Sequence, residues 1–179
     1  MNPLLRLSGL IDALNQQLAK LANWLVLLAC LVSAGNAMIR YALDTSSNAW
    51  LEVQWYMFAG MVMLGAPYTL KLNEHVRVDV IYGHLQPRTR AWIDLLGLIF
   101  FLMPAALLIM EMSWPYFVES LRGHEVSPNA GGLIRWPVKL IIPVGMGLLA
   151  LQGVSEIIKR IGYLLGVYNM DTQYERPAQ

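Results

Sequence analysis

The sequence predicts an all-α integral membrane protein: four transmembrane helices preceded by an N-terminal amphipathic helix, as a single domain over residues 1–165. Three observations lead there. The chain is 56% hydrophobic and only 14% charged, whereas an ordinary soluble domain carries about 25% charge. Four apolar segments approach the length that crosses a hydrocarbon core of about 30 Å at about 1.5 Å per residue. None of the four alternates apolar and polar residues as a barrel strand does, and in lipid a backbone that must satisfy its own hydrogen bonds becomes helical.

Residues 3–20 come first. Leu4, Leu7, Ile11, Leu14, Leu18 and Leu21 recur at spacings of three and four, one apolar stripe on a helix, with Arg6, Asp12, Asn15, Gln16 and Lys20 mostly off it. Such a stripe fits a coiled-coil seam or a helix lying flat in the membrane interface. Three heptads joined directly to a span favour the flat helix; docking on the chain's own bundle is the third option. The segment lacks the unbroken apolar core of a cleavable signal peptide, so it is expected to stay on the mature chain.

The spans follow at about 21–39, 49–70, 91–110 (with an extension toward Arg122) and 138–158. Trp50, Trp55 and Tyr56 on the second, and Trp114, Tyr116 and Trp136 near the third loop, suit an interfacial aromatic belt. That loop carries Pro128, Gly131 and Gly132 and is expected to turn at "SPNAGG". The tail, 166–179, reads as flexible. Nine Lys/Arg fall in the N-terminal tail, the 71–90 connector and the C-terminal tail, against four in the first and third loops and at the mouth of the fourth span. Positive residues stay inside, which predicts cytoplasmic termini and a cytoplasmic connector.

The composition also excludes functions. A net charge of +1 gives no basic field for nucleic acid. Cys30 is the only cysteine, so neither an internal disulfide nor a cysteine-rich metal site is possible. His75, His84 and His124 all fall in loops or at their edges, which removes the usual bis-histidine haem of membrane cytochromes but not a bare quinone pocket. Glu52 with Gln54, Asp94, Lys139 and Glu156 approach the apolar segments only near their ends, so mid-membrane ion or proton sites of a carrier are missing. There is no Gly-rich phosphate loop and no nucleophile–base spacing.

What remains is packing material and one buried carboxylate. Ala29, Ser33 and Ala37 recur every fourth residue on the first span, and Gly145 and Gly153 leave the fourth lean. Small residues at this spacing let helices approach closely, inside the bundle or against another membrane protein. Glu52, one turn inside its span, needs a partner: an ion pair with Arg40, Arg135 or Lys139, or a group on another subunit.

The stretch "GAPYTLKLNEHVRVDVIYGHLQPRTRAWIDLLG" carries a family resemblance. It resembles the small permease subunit of TRAP transporters, the tripartite ATP-independent periplasmic solute importers. The resembling features are Lys71, then His75 to Asp79 reading His-Val-Arg-Val-Asp, then Pro87 and basic residues before the third span. Glu52 matches an acidic residue near the start of that family's second span, and "RWPVKLIIPVGMGLLALQG" its fourth-span entry. Glu74 stands where relatives commonly carry a glycine.

The resemblance implies a bacterial inner-membrane scaffold subunit without enzymatic activity or a cofactor of its own. A large multispanning permease would bind sodium and substrate, typically an organic acid, and a periplasmic solute-binding protein would deliver it. Membrane lipids are the other expected partner. Glu52, Trp55, Lys71, His75, Arg77 and Asp79 are then the structural or subunit-contact residues, the last three ordering the connector by charge-assisted hydrogen bonds. Two other classes stay in view: a membrane anchor of a respiratory complex with a quinone pocket, and a small self-sufficient carrier.

Overall fold

In the computed structural model, residues 3–45, 47–74, 82 and 84–170 are described, and these form a helical bundle. Helix α1 spans Pro3–Leu43, α2 Asn48–Leu72, α3 Pro87–Arg122 and α4 Trp136–Leu164. Three of them, α1, α3 and α4, are long and apolar enough to cross a membrane. The second span predicted by the sequence, 49–70, corresponds to α2, which has 25 residues but dilutes its aliphatic content with Glu52, Gln54, Trp55, Tyr56, Gly60 and Gly65.

The helix ends have local causes. Ser47 caps α2 by accepting from Ala49 N–H at 3.3 Å. Asn73 ends α2 in the left-handed region, φ 61°, which serves the turn without a glycine at Glu74. Within α3, Leu98–Leu102 is π-helical, with Met103 N–H bonded to the Leu98 carbonyl. Pro104 follows directly; it offers no N–H and its ring crowds the carbonyl of Phe100, and a wider turn accommodates both. At the end of α4, Gly166 takes φ +73° and Val167 N–H reaches back to the Gly162 carbonyl at 2.9 Å. The chain from Gly166 therefore folds back on the helix rather than fraying at once, as the sequence predicted; 171–179 lie outside the described residues.

Helix α4 is the hub: it packs against α1, α2 and α3, while α1 and α2 form an antiparallel pair. The close approaches use glycine. A Cβ on Gly145 would lie 2.6 Å from Met63 Cβ, so α2 and α4 touch backbone to backbone there. A Cβ on Gly153 would meet Met103 Sδ at 2.9 Å beside the π turn of α3. On α1, Ala29 is buried but Ser33 and Ala37 are exposed, so only the first of that small-residue series packs within the chain. The packing face of α1 runs instead through Ala19, Ala22 and Ala29.

Segment 3–20 also departs from expectation. It joins the first span in one uninterrupted helix of 41 residues, about 60 Å long. Leu4, Leu7, Leu14 and Leu21 are exposed, while Ser8, Asn15 and Ala19 are buried. Of the apolar stripe only Ile11 is buried, and the internal contact runs along Ser8, Ile11, Asp12, Asn15 and Ala19. The molecule as a whole is arranged this way: Asn15, Gln152, Ser155, Glu156 and Arg160 lie inside, and Phe100, Phe101, Leu31 and Met112 lie outside. Water would penalise that arrangement and hydrocarbon favours it, because paired polar groups are sheltered and apolar ones meet lipid.

Candidate functional site

Two polar clusters occupy opposite ends of the bundle. The first holds the loop between α3 and α4. Residues 125–135 fold as a small hairpin: Val126 and Ile134 form an antiparallel bridge, and Ser127 N–H bonds the Leu133 carbonyl at 2.9 Å. Gly131 has φ +70°, and a Cβ on Gly132 would lie 2.5 Å from Ser127 Cβ, so the tip requires both glycines.

Glu52 reaches into this hairpin from α2. Ser127 Oγ donates to its Oε1, Asn129 Nδ2 donates to the same oxygen at 2.7 Å, and Leu133 N–H donates to Oε2 at 2.7 Å. Tyr56 Oη, one turn on, donates to the Ile134 carbonyl at 3.1 Å. The ion pair expected for Glu52 is not the arrangement found. Lys139 and Arg135 both turn to Glu125 instead, Arg135 at 3.6 Å, and Lys139 also sits 3.8 Å from the centroid of the Tyr116 ring. Glu52 is satisfied by neutral donors, which fixes the loop without burying a second charge beside it. Lys139 beside Glu125 holds that carboxyl below the usual carboxylate range.

The second cluster ties α1, α3 and α4 together at the end carrying both termini. Asp12 accepts from Ser155 Oγ at 2.7 Å, Gln152 Nε2 at 2.8 Å and Lys159 Nζ at 2.9 Å. Asn15 Nδ2 donates to Gln152 Oε1 at 2.7 Å, and the Ser8 and Ser155 hydroxyls are 2.7 Å apart. Glu156 pairs with both Lys159 and Arg160, and Arg160 also reaches Asp94 of α3 at 3.3 Å. Each charge meets an opposite one, and the Asn15 and Gln152 amides link α1 to α4, while Arg160 Nε and Asn15 Oδ1 are left without a partner among the described residues. Sequence reasoning assigned Lys159 and Arg160 to topology and passed over Asp12, Asn15, Gln152 and Ser155. A signal was present: Gln152, Ser155, Glu156, Lys159 and Arg160 lie at offsets 0, 3, 4, 7 and 8, one continuous polar face on an otherwise apolar helix.

Among the described residues these charged and amide side chains form joints between helices. The family model described as "Tripartite ATP-independent periplasmic transporters, DctQ component" matches residues 29–162. The chain belongs to that family. No curated protein and no solved structure matches it. It is therefore a small membrane subunit of a TRAP transporter, a component of a transport system that works with a large permease and a periplasmic binding protein. The match gives no support to the respiratory-anchor alternative.

The remaining sequence-selected residues of this DctQ chain are Trp55, Lys71, His75, Arg77 and Asp79. Trp55 is exposed on α2. Lys71, at the end of α2, donates to Gln16 Oε1 of α1 at 3.2 Å and sits 5.5 Å from the Tyr68 ring centroid. His75, Arg77 and Asp79, which carry the family-like motif, lie outside the described residues.

Proposed function

We propose that this subunit is the fixed frame of a sodium-coupled, binding-protein-dependent importer of organic acids or related small solutes. It would sit in the bacterial inner membrane with four spans and both termini cytoplasmic. The large permease subunit binds sodium and solute and moves; this chain enlarges the stationary part against which it moves. One observation carries the reading. The buried Glu156, Lys159 and Arg160 and the half-buried Asp12 and Asp94 are engaged with one another across α1, α3 and α4, and Glu52 is engaged with a loop. They lock helices together, and among the described residues no group of His, Cys, Asp or Glu could hold a metal ion. The 60 Å length of α1 supports the same role, since it exceeds the hydrocarbon thickness and extends the frame past the membrane surface. In this reading His75, Arg77 and Asp79 order the connector between the second and third spans.

The test is to lock the frame. Ser8→Cys with Ser155→Cys, in a Cys30→Ser background, places two thiols where the hydroxyls are 2.7 Å apart. After oxidation, sodium-driven uptake by the complex reconstituted in liposomes should match the reduced sample. Loss of uptake on oxidation, restored by a reductant, would mean that α1 and α4 move during transport. Uptake by this chain without the large subunit would overturn the division of labour.

A further inference from the structure

Two cavities meet at the terminal end of the bundle. The first, of about 310 Å³, is lined by Lys71 of α2, Arg90 and Asp94 of α3, and Glu156, Lys159 and Arg160 of α4. With Asp12, which holds Lys159 from outside the lining, the described charges are four cations and three carboxylates, a small positive excess. The second, of about 720 Å³, is an apolar groove between α3 and α4, bordered by Leu98, Phe101, Leu102, Ile109 and Leu149. Tyr82, Asp94 and Arg160 line both, so one opens toward the other.

Arg160 is the informative residue. It is 2% exposed, and its Nη atoms are held by Glu156 and Asp94, yet among the described residues its Nε–H has no hydrogen-bond partner. Native structures rarely leave a buried cationic donor unused, so an acceptor belongs there. Among the described residues, Lys71 across the cavity meets the neutral Gln16 amide and the face of Tyr68 and no carboxylate. It therefore has charge to offer.

We propose that this is a binding site for an anionic phospholipid. The phosphate takes the Arg160 Nε–H and the Lys71 ammonium, and one acyl chain lies in the groove along the π-helical turn Leu98–Leu102. The proportions fit. The groove follows α3 from Ile93 to Ile109, about 24 Å of helix, against about 15 Å for one hydrocarbon leaflet. Basic pockets between helices at the cytoplasmic surface suit acidic headgroups. A free phosphate would use the cavity and leave the groove empty, whereas a helix of the large subunit would cover the groove without supplying an acceptor to Arg160. The π turn bears on the same surface: it lets α3 pass Pro104 while Phe101 and Leu102 border the groove. The inference rests on the topology proposed above, which puts this end at the anionic leaflet.

Native mass spectrometry of the delipidated full chain, titrated with phosphatidylglycerol or phosphatidylcholine, tests it. Phosphatidylglycerol should be preferred, and Lys71→Gln, which leaves the Asp12–Glu156 network intact, should weaken its binding about fivefold. Ala105→Trp, which fills the groove from its rim, should reduce phosphatidylglycerol binding, and millimolar inorganic phosphate should not compete. Equal binding of the two lipids would overturn the proposal. So would competition by inorganic phosphate with no effect of Ala105→Trp, the signature of a free-anion site. Loss of assembly with the large subunit in Ala105→Trp, with lipid preference unchanged, would reassign the groove to that subunit. Binding in detergent does not depend on orientation; labelling of Lys71→Cys by an impermeant reagent from outside intact cells would instead fault the topology.

Discussion

Replacing Gly145 by alanine tests whether helix contact at the hub is as close as it is drawn. The new Cβ would stand 2.6 Å from Met63 Cβ, 3.0 Å from the Met63 carbonyl oxygen and 3.2 Å from its Cα. Carbon atoms in contact prefer about 3.5–4.0 Å, so α2 and α4 must part by about 1 Å. None of the three atoms is the free end of a flexible side chain, so no rotamer change relieves the clash. Overpacking of this kind costs about 1–3 kcal/mol. Alanine also recovers helix propensity worth up to about 1 kcal/mol over glycine, which would mask part of the effect. Gly65→Ala is the control: it lies on α2, and a Cβ there meets nothing within 4 Å. The propensity gain cancels between the two variants, leaving the overpacking cost. At about 2–4 °C per kcal/mol for a chain of this size, Gly145→Ala should melt about 2–12 °C below Gly65→Ala in detergent. Gly153→Ala should fall between them, because its nearest neighbours, Met103 Sδ and Leu102 Cδ2, are side-chain ends that can move. Equal melting temperatures for Gly145→Ala and Gly65→Ala would refute the backbone-to-backbone contact.

The polar clusters give further predictions. Glu156→Leu removes one acceptor from Lys159 and Arg160, which keep Asp12 and Asp94 as partners, and should cost about 1–3 kcal/mol, as losing a hydrogen bond to a charged group does; recovery of stably folded protein at the unmutated level would contradict it. Glu52→Ala removes the acceptor for Ser127, Asn129 and Leu133, so hydrogen exchange at residues 127–133 should accelerate while that of α4 stays unchanged. The Glu125 carboxyl is held below its ordinary value of 4.5 by Lys139, so its stabilising tie is complete above that value and is lost as pH falls through the lowered one. Fluorescence of Trp136 and Trp114 should therefore stay constant from pH 7 to about 5 and change only in more acid solution; a transition above pH 5 that Glu125→Gln abolishes would reverse the sign. Arg77→Ala and Asp79→Ala should each reduce assembly with the large permease and solute uptake, and unmutated values of both quantities in both variants would remove the ordering role of the connector.

Much of the fold was legible because hydrocarbon leaves few choices. The apolar runs, the Lys/Arg that bound them and the shortage of interior charge are one-dimensional signals, and they pointed to the all-helical architecture observed. The amphipathic stripe of residues 3–20 misled because a stripe names two faces and does not say which one docks. In water the leucines would turn inward. Beside Gln152, Ser155 and Lys159 the better partners for α1 are Ser8, Asp12 and Asn15, and the leucines face out. Ser33 and Ala37 share the spacing of Ala29 but not its burial, because the contact line on α1 follows Ala19, Ala22 and Ala29.

The sequence by itself determined the solvent this protein requires, and its motifs resembled the family to which it belongs. Both are written in local composition and short patterns, which need no partner to be read. Only the tertiary structure decided what the charged side chains do. Glu52 and Leu133 are 81 residues apart in the chain, and Asp12 and Lys159 are 147 apart. Hydrogen bonds form between atoms about 3 Å apart, and no periodicity within one helix specifies which distant residue will supply the other atom.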